Sequence, residues 1–200
     1  YLSYLDQLLL GSHEENLERN ILFRRGQVAF NDLQDESTAT QSWEKALELV
    51  PNDEDSAIAL IPLYRAKEQW NELISVLNVR YQCLLKRLEL NENEQDEHSD
   101  DWELEFLALE EVSTELIEIN ELKLGALNDA FSIALSTFSV RPTQISALEV
   151  VARLAPLTEP RLDHQLVERI EELLNSSTLL QEREYSEAKS SLLWQLASTC

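Results

Sequence analysis

Glycine and proline are scarce in this 200-residue chain, with 3 and 5 residues, while Leu and Glu are abundant. Sheets need turns built largely on those two residues, and no alternating Val/Ile/Thr run is present, so helix is favoured over strand. So few glycines leave no loop able to cradle a phosphate. Cysteine is limited to Cys83 and Cys200. They lie far apart without metal-ligand spacing, so neither a zinc site nor a disulfide framework is expected, and a reducing, cytoplasmic setting is. Positive charge is short as well: 16 Lys and Arg face 38 Asp and Glu, a net charge of −22. Such a chain is repelled by nucleic-acid phosphates and by anionic membranes, so neither is an expected partner. A Lys/Arg-rich protein or peptide fits the charge better. No apolar run approaches the roughly 20 residues needed to cross a bilayer. Methionine is absent, the chain opens on Tyr1, and it stops at Cys200 within an apolar helical run. These ends suggest a piece of a longer polypeptide, continued by flanking repeats or domains, with any targeting segment lying outside it.

What is present is organised around Trp43–Trp70. Trp43, Ala46 and Leu47 fall at helical spacing before Val50-Pro51-Asn52-Asp53. Proline cannot continue a helix, and Asn52 or Asp53 can cap the next one. Ala57, Leu60, Ile61 and Tyr64 then mark one buried face, and the pattern restarts at Trp70, Leu73, Ile74, Leu77 and Tyr81. Two short amphipathic helices joined by a tight turn, followed by the same again, make a helix-hairpin repeat. At these residues the chain resembles the tetratricopeptide repeat (TPR) family, whose period is about 34 residues with a proline after the second helix. Ala39, Trp43, Ala46 and Pro51 match one repeat, and Ala57, Leu60, Tyr64, Trp70 and Leu73 the next. Three positions depart from the pattern: Gly26 sits one residue out of frame, Pro62 lies inside a first helix, and Arg80 replaces a usual alanine. The resemblance implies an all-α solenoid, a right-handed superhelix of antiparallel helix-turn-helix repeats. It also implies that first helices line a concave groove. In the Pro51 frame the groove positions are Asp55, Ile58, Pro62 and Arg65. The family's mode of clamping a C-terminal carboxylate needs Lys, Asn and Arg on successive first helices. That set is missing, so binding of chaperone tails is disfavoured.

Along the chain, 1–10 read as the end of a second helix, broken at Gly11-Ser12. Repeat units are expected at about 13–50, 54–90, 101–139 and 144–175, with partial units at both ends, forming one array over 1–200. Core candidates are Leu17, Ile21, Leu22, Ala29, Phe30 and Leu33 in the first long helix. In the helix over about 101–123 they include Trp102, Leu104, Phe106, Leu107, Leu109, Val112 and Leu116. Residues 89–101 form an acidic inter-repeat loop, with Ser99 or Asp100 as the following cap. Helices are also expected at about 162–174 and 180–199. A longer period is visible too: Ala39 to Pro51 returns as Ala130 to Pro142, an offset of 91 residues.

Catalytic and metal motifs are missing. His13, His98 and His164 have no paired histidine or cysteine at ligand spacing. Asn91–Asp96 alternates oxygen ligands like a calcium loop, but Asp96 stands where the sharp turn needs glycine. Adjacent glutamates such as Glu110-Glu111 mark the wet face of a helix, and no nucleophile motif occurs. Cys83 reads as a small core residue, and Trp43, Trp70, Trp102 and Trp194 as inter-helix filling. The expectation is a non-enzymatic protein-interaction scaffold without a cofactor, offering a concave acidic surface to a peptide or protein. The alternative is a regulatory or peptide-sensing helical domain that controls a neighbouring catalytic module.

Overall fold

The computed structural model of the chain describes residues 2–11, 14–92, 100–142 and 144–158. Eight α-helices and no strand occur among the described residues: α1 (Leu2–Gly11), α2 (Glu15–Asn31), α3 (Glu36–Leu49), α4 (Glu54–Ala66), α5 (Trp70–Glu92), α6 (Asp100–Glu118), α7 (Leu127–Val140) and α8 (Ile145–Leu154). A π-helical turn, Ile119–Leu124, extends α6, and a 3-10 turn, Ala155–Leu157, follows α8. The expected helices at 162–174 and 180–199, and residues 93–99 of the acidic loop, lie outside the described residues. The chain divides into two compact units, Tyr1–Lys86 and Arg87–Cys200.

In the first unit, α2 and α3 form a hairpin around Trp43. Its indole packs where a side chain at Gly26 would stand: a Cβ there would lie 2.3 Å from Trp43 Nε1. The same nitrogen donates to the Phe23 carbonyl at 3.2 Å, and the Phe30 ring lies 5.8 Å away. Gly26 thus supplies the close approach between α2 and α3, whatever its frame. Polar contacts give the direction of the next helices. Tyr64 donates to Glu44 at 2.7 Å, and Lys67 at the end of α4 pairs with Glu36 at the start of α3, so the two run antiparallel. Burial pushes the Tyr64 hydroxyl pKa up, and the Glu44 hydrogen bond adds to it. On α5, Cys83 Sγ lies 3.8 Å from the Asn52 carbonyl, just before α4 begins, so α5 returns antiparallel to α4.

The turns inside the hairpins share a left-handed residue at the same place. Gln34, Glu68 and Gly125 all have positive φ, at 54°, 54° and 67°. Each stands two residues before the second helix of its pair. The residue that follows each of them donates backward, Asp35 to Ala29 O, Gln69 to Tyr64 O and Ala126 to Asn120 O, at 2.7–3.0 Å. This is the left-handed stop that satisfies orphan carbonyls at a helix end. The starts of α3 and α5, Glu36 and Trp70, lie 34 residues apart. Asp35 caps α3 by accepting from the Thr38 amide at 3.0 Å and its hydroxyl at 2.6 Å. The Thr38 hydroxyl bond, then the amide bond, hold the Asp35 carboxyl below the usual carboxylate range.

The second unit repeats the plan. Arg141 at the end of α7 pairs with Glu103 near the start of α6, at 3.0 and 3.2 Å. The guanidinium also lies over the stacked rings of Trp102 and Phe106, which are 5.3 Å apart. Helices α6 and α7 are therefore antiparallel. The 91-residue offset recurs in helix bounds: α3 and α7 match at both ends (36 to 127, 49 to 140), and α4 and α8 start at 54 and 145.

Several core expectations are corrected. Leu17, Phe30 and Leu33 are exposed. Leu17 lies in the first turn of α2, Phe30 at the edge of its buried arc, and Leu33 in the turn after the helix has ended. Leu104 and Leu107 are 63% and 52% exposed. At 100° per residue they fall about 200° and 140° from Trp102, opposite the buried face. Asp100 lies within α6, and Asp53 precedes α4 without making a side-chain cap. The π turn departs from the helix expected to run unbroken to about 123. It turns both Ile119 and Asn120 into the core, and the Asn120 amide donates to the Leu116 carbonyl at 2.8 Å.

Two outcomes are expected in urea denaturation. Gly26→Ala should cost about 1–3 kcal/mol by overpacking, despite alanine's better helix propensity, and this cost should vanish in a Trp43→Ala background. Glu68→Gly should stabilise by roughly 0.5–1 kcal/mol by relieving the left-handed backbone.

Candidate partner-binding surface

The four groove positions all lie on α4. At about 100° per residue, Asp55, Ile58, Pro62 and Arg65 span roughly 80° of arc. All four are exposed, with Ile58 at 43%. Pro62 cannot donate to the Ile58 carbonyl, a cost that solvent can meet on this wet side. The residues form a stripe with a carboxylate near the helix start, an apolar middle and a cation near the end.

The stripe borders α2 through Arg19, a residue that the sequence reading missed. Its guanidinium donates to Asp53 and, at 2.7 Å, to Asp55. Since α2 runs antiparallel to α3 and α3 to α4, α2 and α4 point the same way, and Arg19 joins their N-terminal ends. The Asp53 side chain is only 3% exposed. The hydrogen bond to Asp53 holds the Arg19 guanidinium pKa above its ordinary value; partial burial opposes this, and Asp55 adds to it. One helical turn on, the Phe23 ring lies under the guanidinium, 5.2 Å from its carbon. Asp55 therefore serves an internal clasp as well as the stripe.

The second unit has a clasp at matching positions with different chemistry. Adding 91 to Arg19 and Asp53 gives Glu110 and Gln144, and the Gln144 amide nitrogen donates to Glu110. Further along, Arg153 of α8 pairs with Glu121, so α6 and α8 also run parallel. This ion pair holds the Glu121 carboxyl below its usual range and the Arg153 guanidinium above its own. In each unit the residue facing α2 or α6 keeps one buried oxygen without a protein partner, Asp53 Oδ2 and Gln144 Oε1. Between α6, α7 and α8 lies an open cleft of about 130 Å³. Its walls include Glu110, Ser113, Thr114, Ile117, Ala134 and Ser146.

No group of three or more His, Cys, Asp or Glu could hold a metal ion among the described residues. His13, His98 and His164 lie outside them, as does 93–96 of the calcium-like run; Asn91 and Glu92 are the end of α5. Cys83 is half-buried. No described helix is long and apolar enough to cross a membrane.

Arg19→Ala should destabilise by about 2–3 kcal/mol, because it strands the Asp53 carboxylate in the interior. Adding Asp53→Asn should recover a substantial part of that loss in the same denaturation assay. Simple additivity of the two changes would show that the clasp contributes nothing. No protein-family model matches this chain, and no curated protein matches it.

Proposed function

We propose that the chain is a non-catalytic protein-interaction scaffold, a TPR-like right-handed solenoid whose first helices offer a concave acidic surface to a Lys/Arg-rich peptide or protein. The observation that carries this reading is the parallel pairing of α2 and α4, clasped by Arg19, beside an exposed stripe with an apolar centre at Ile58 and Pro62. Parallel neighbours two elements apart are what stacked hairpins require, because each hairpin leaves one face for the next to cover. The recurring left-handed turns, the 34-residue spacing of α3 and α5 and the 91-residue correspondence of α3–α4 with α7–α8 support the same reading.

The mechanism is shape with charge. A net charge of −22 attracts a cationic segment and speeds encounter, while the stripe's apolar centre fixes its position. Fluorescence anisotropy with a labelled Lys-rich peptide tests it. Affinity should fall at least tenfold from 50 to 500 mM salt, and Ile58→Lys should weaken binding at least tenfold while leaving the thermal midpoint unchanged. Binding indifferent to both salt and Ile58→Lys would overturn the proposal.

A further inference from the structure

The two copies of the hairpin unit differ most where the cleft opens. At the 91-residue offset, Gly26 and Trp43 of the first unit correspond to Ile117 and Ala134 of the second, and both of these line the cleft. Where the first unit holds an indole, the second has a methyl group. Arg19 corresponds to Glu110, Phe23 to Thr114, and Asp55 to Ser146, all on the cleft wall. The first unit thus carries its own cation and its own aromatic ring at this junction. The second has exchanged the cation for a carboxylate and left the space open.

Two hydroxyls on the cleft wall already spend their protons inside the protein. The Ser113 hydroxyl spends its proton on the Glu110 carbonyl at 3.0 Å, and the Thr137 hydroxyl on the Ile133 carbonyl at 2.9 Å. The Ser113 oxygen then offers only lone pairs. Gln144, which does not line the cleft, turns its nitrogen to Glu110, since its oxygen would be repelled there, and so holds the carboxylate in place from behind. Glu110 itself has no cationic partner among the described residues; its one side-chain hydrogen bond is that from Gln144. The Glu110 carboxylate and the Ser113 oxygen thus put acceptors on one side of a space whose other walls are the apolar Ile117, Ala134, Ala147 and Val150 and the hydroxyl-bearing Thr114, Thr137 and Ser146. Residues 100–158 around it hold eleven Asp and Glu against three Lys and Arg, a net −8. The local field points the same way.

We infer that this cleft is a receptor for a single lysine side chain of a bound peptide, with the aliphatic stem on Ile117, Ala134 and Val150 and the ammonium at Glu110. Lysine fits better than arginine. Gln144 already donates to one Glu110 oxygen and crowds the fork of two parallel bonds that a guanidinium seeks, whereas a compact ammonium needs one carboxylate oxygen. The stem of four methylenes lies against apolar walls while its head reaches the polar side. The inference deepens the scaffold reading and rests on it: it supplies the residue that fixes a cationic partner's register on the second unit.

The test is a titration of the 200-residue chain, followed by amide NMR shifts, with a Gly/Ser peptide carrying one central lysine. Matched peptides carry norleucine or arginine instead. Saturable shifts should appear at Thr114, Ser146 and Ala147 with the lysine peptide, and be at least fivefold weaker with the others. Glu110→Gln should weaken the lysine peptide at least tenfold. Ala147→Leu, which narrows the cleft and keeps the charge, should do the same. Glu111→Gln, an exposed neighbour outside the cleft wall, should change affinity less than twofold. Equal shifts with norleucine, no loss in Glu110→Gln, or equal binding of free putrescine would each overturn the lysine-peptide assignment. If a Lys-rich peptide binds the unaltered protein and shifts only α4 amides, the cleft proposal fails and the scaffold reading stands; if it binds nowhere, both fail.

Discussion

The indole of Trp43 stands in space that any side chain at position 26 would need, and that exclusion fixes how α2 meets α3. A glycine in mid-helix costs up to about 1 kcal/mol against alanine, so its placement must be repaid by packing. Here the return is a large ring 4% exposed, tied to the Phe23 carbonyl and flanked by Phe30. With α3 held at that distance, Tyr64 reaches Glu44 and α4 lies alongside. The start of α4 then meets Arg19, and the parallel pair beside the exposed stripe is complete. The surface proposed to bind a partner is in this sense a consequence of one glycine–tryptophan contact.

The second unit keeps the backbone plan and changes its chemistry. Its helix bounds repeat at 91 residues, yet Trp43 has become Ala134 and Gly26 has become Ile117. An isoleucine restores part of the volume on the facing helix, and the rest remains as the cleft. Around it Leu148, Val151, Leu154 and Phe138 are fully buried, so the core of the unit closes without the indole. At the corresponding junction the first unit has an Arg–Asp clasp and an indole, and the second a Gln–Glu hydrogen bond and a cleft. The π turn after α6 has no counterpart in α2, which ends in an ordinary turn at Asp32.

Much of the fold was legible because it rests on local signals. Pro51, the Ala57–Leu60–Ile61–Tyr64 spacing and Gly125 each marked an element that the structure contains. Residues opposite the core were misjudged where apolar side chains sit on the wet face, as at Leu104 and Leu107, because composition alone does not give azimuth. The left-handed Gln34 and Glu68 were hidden, since neither is a residue that prefers positive φ. The four positions from Asp55 to Arg65, taken from repeat register, are exposed on α4. Arg19 was not found, since a clasp between helices 34 residues apart leaves no mark in either helix. The cleft was invisible for a similar reason: it is defined by what Ala134 lacks, and only comparison with Trp43 at the matching position reveals it.

The central claim is that the two hairpin units are the same packing, with Gly26–Trp43 and Ile117–Ala134 at one equivalent junction. A graft of the first pair into the second unit tests it most directly, by comparing urea unfolding of Ile117→Gly, Ala134→Trp and the double variant. The account predicts that each single change destabilises, one by a void and one by overpacking, and that the double variant recovers at least about 2 kcal/mol relative to their sum. Additive losses, with no recovery in the double variant, would show that the junctions are not equivalent and would contradict the account.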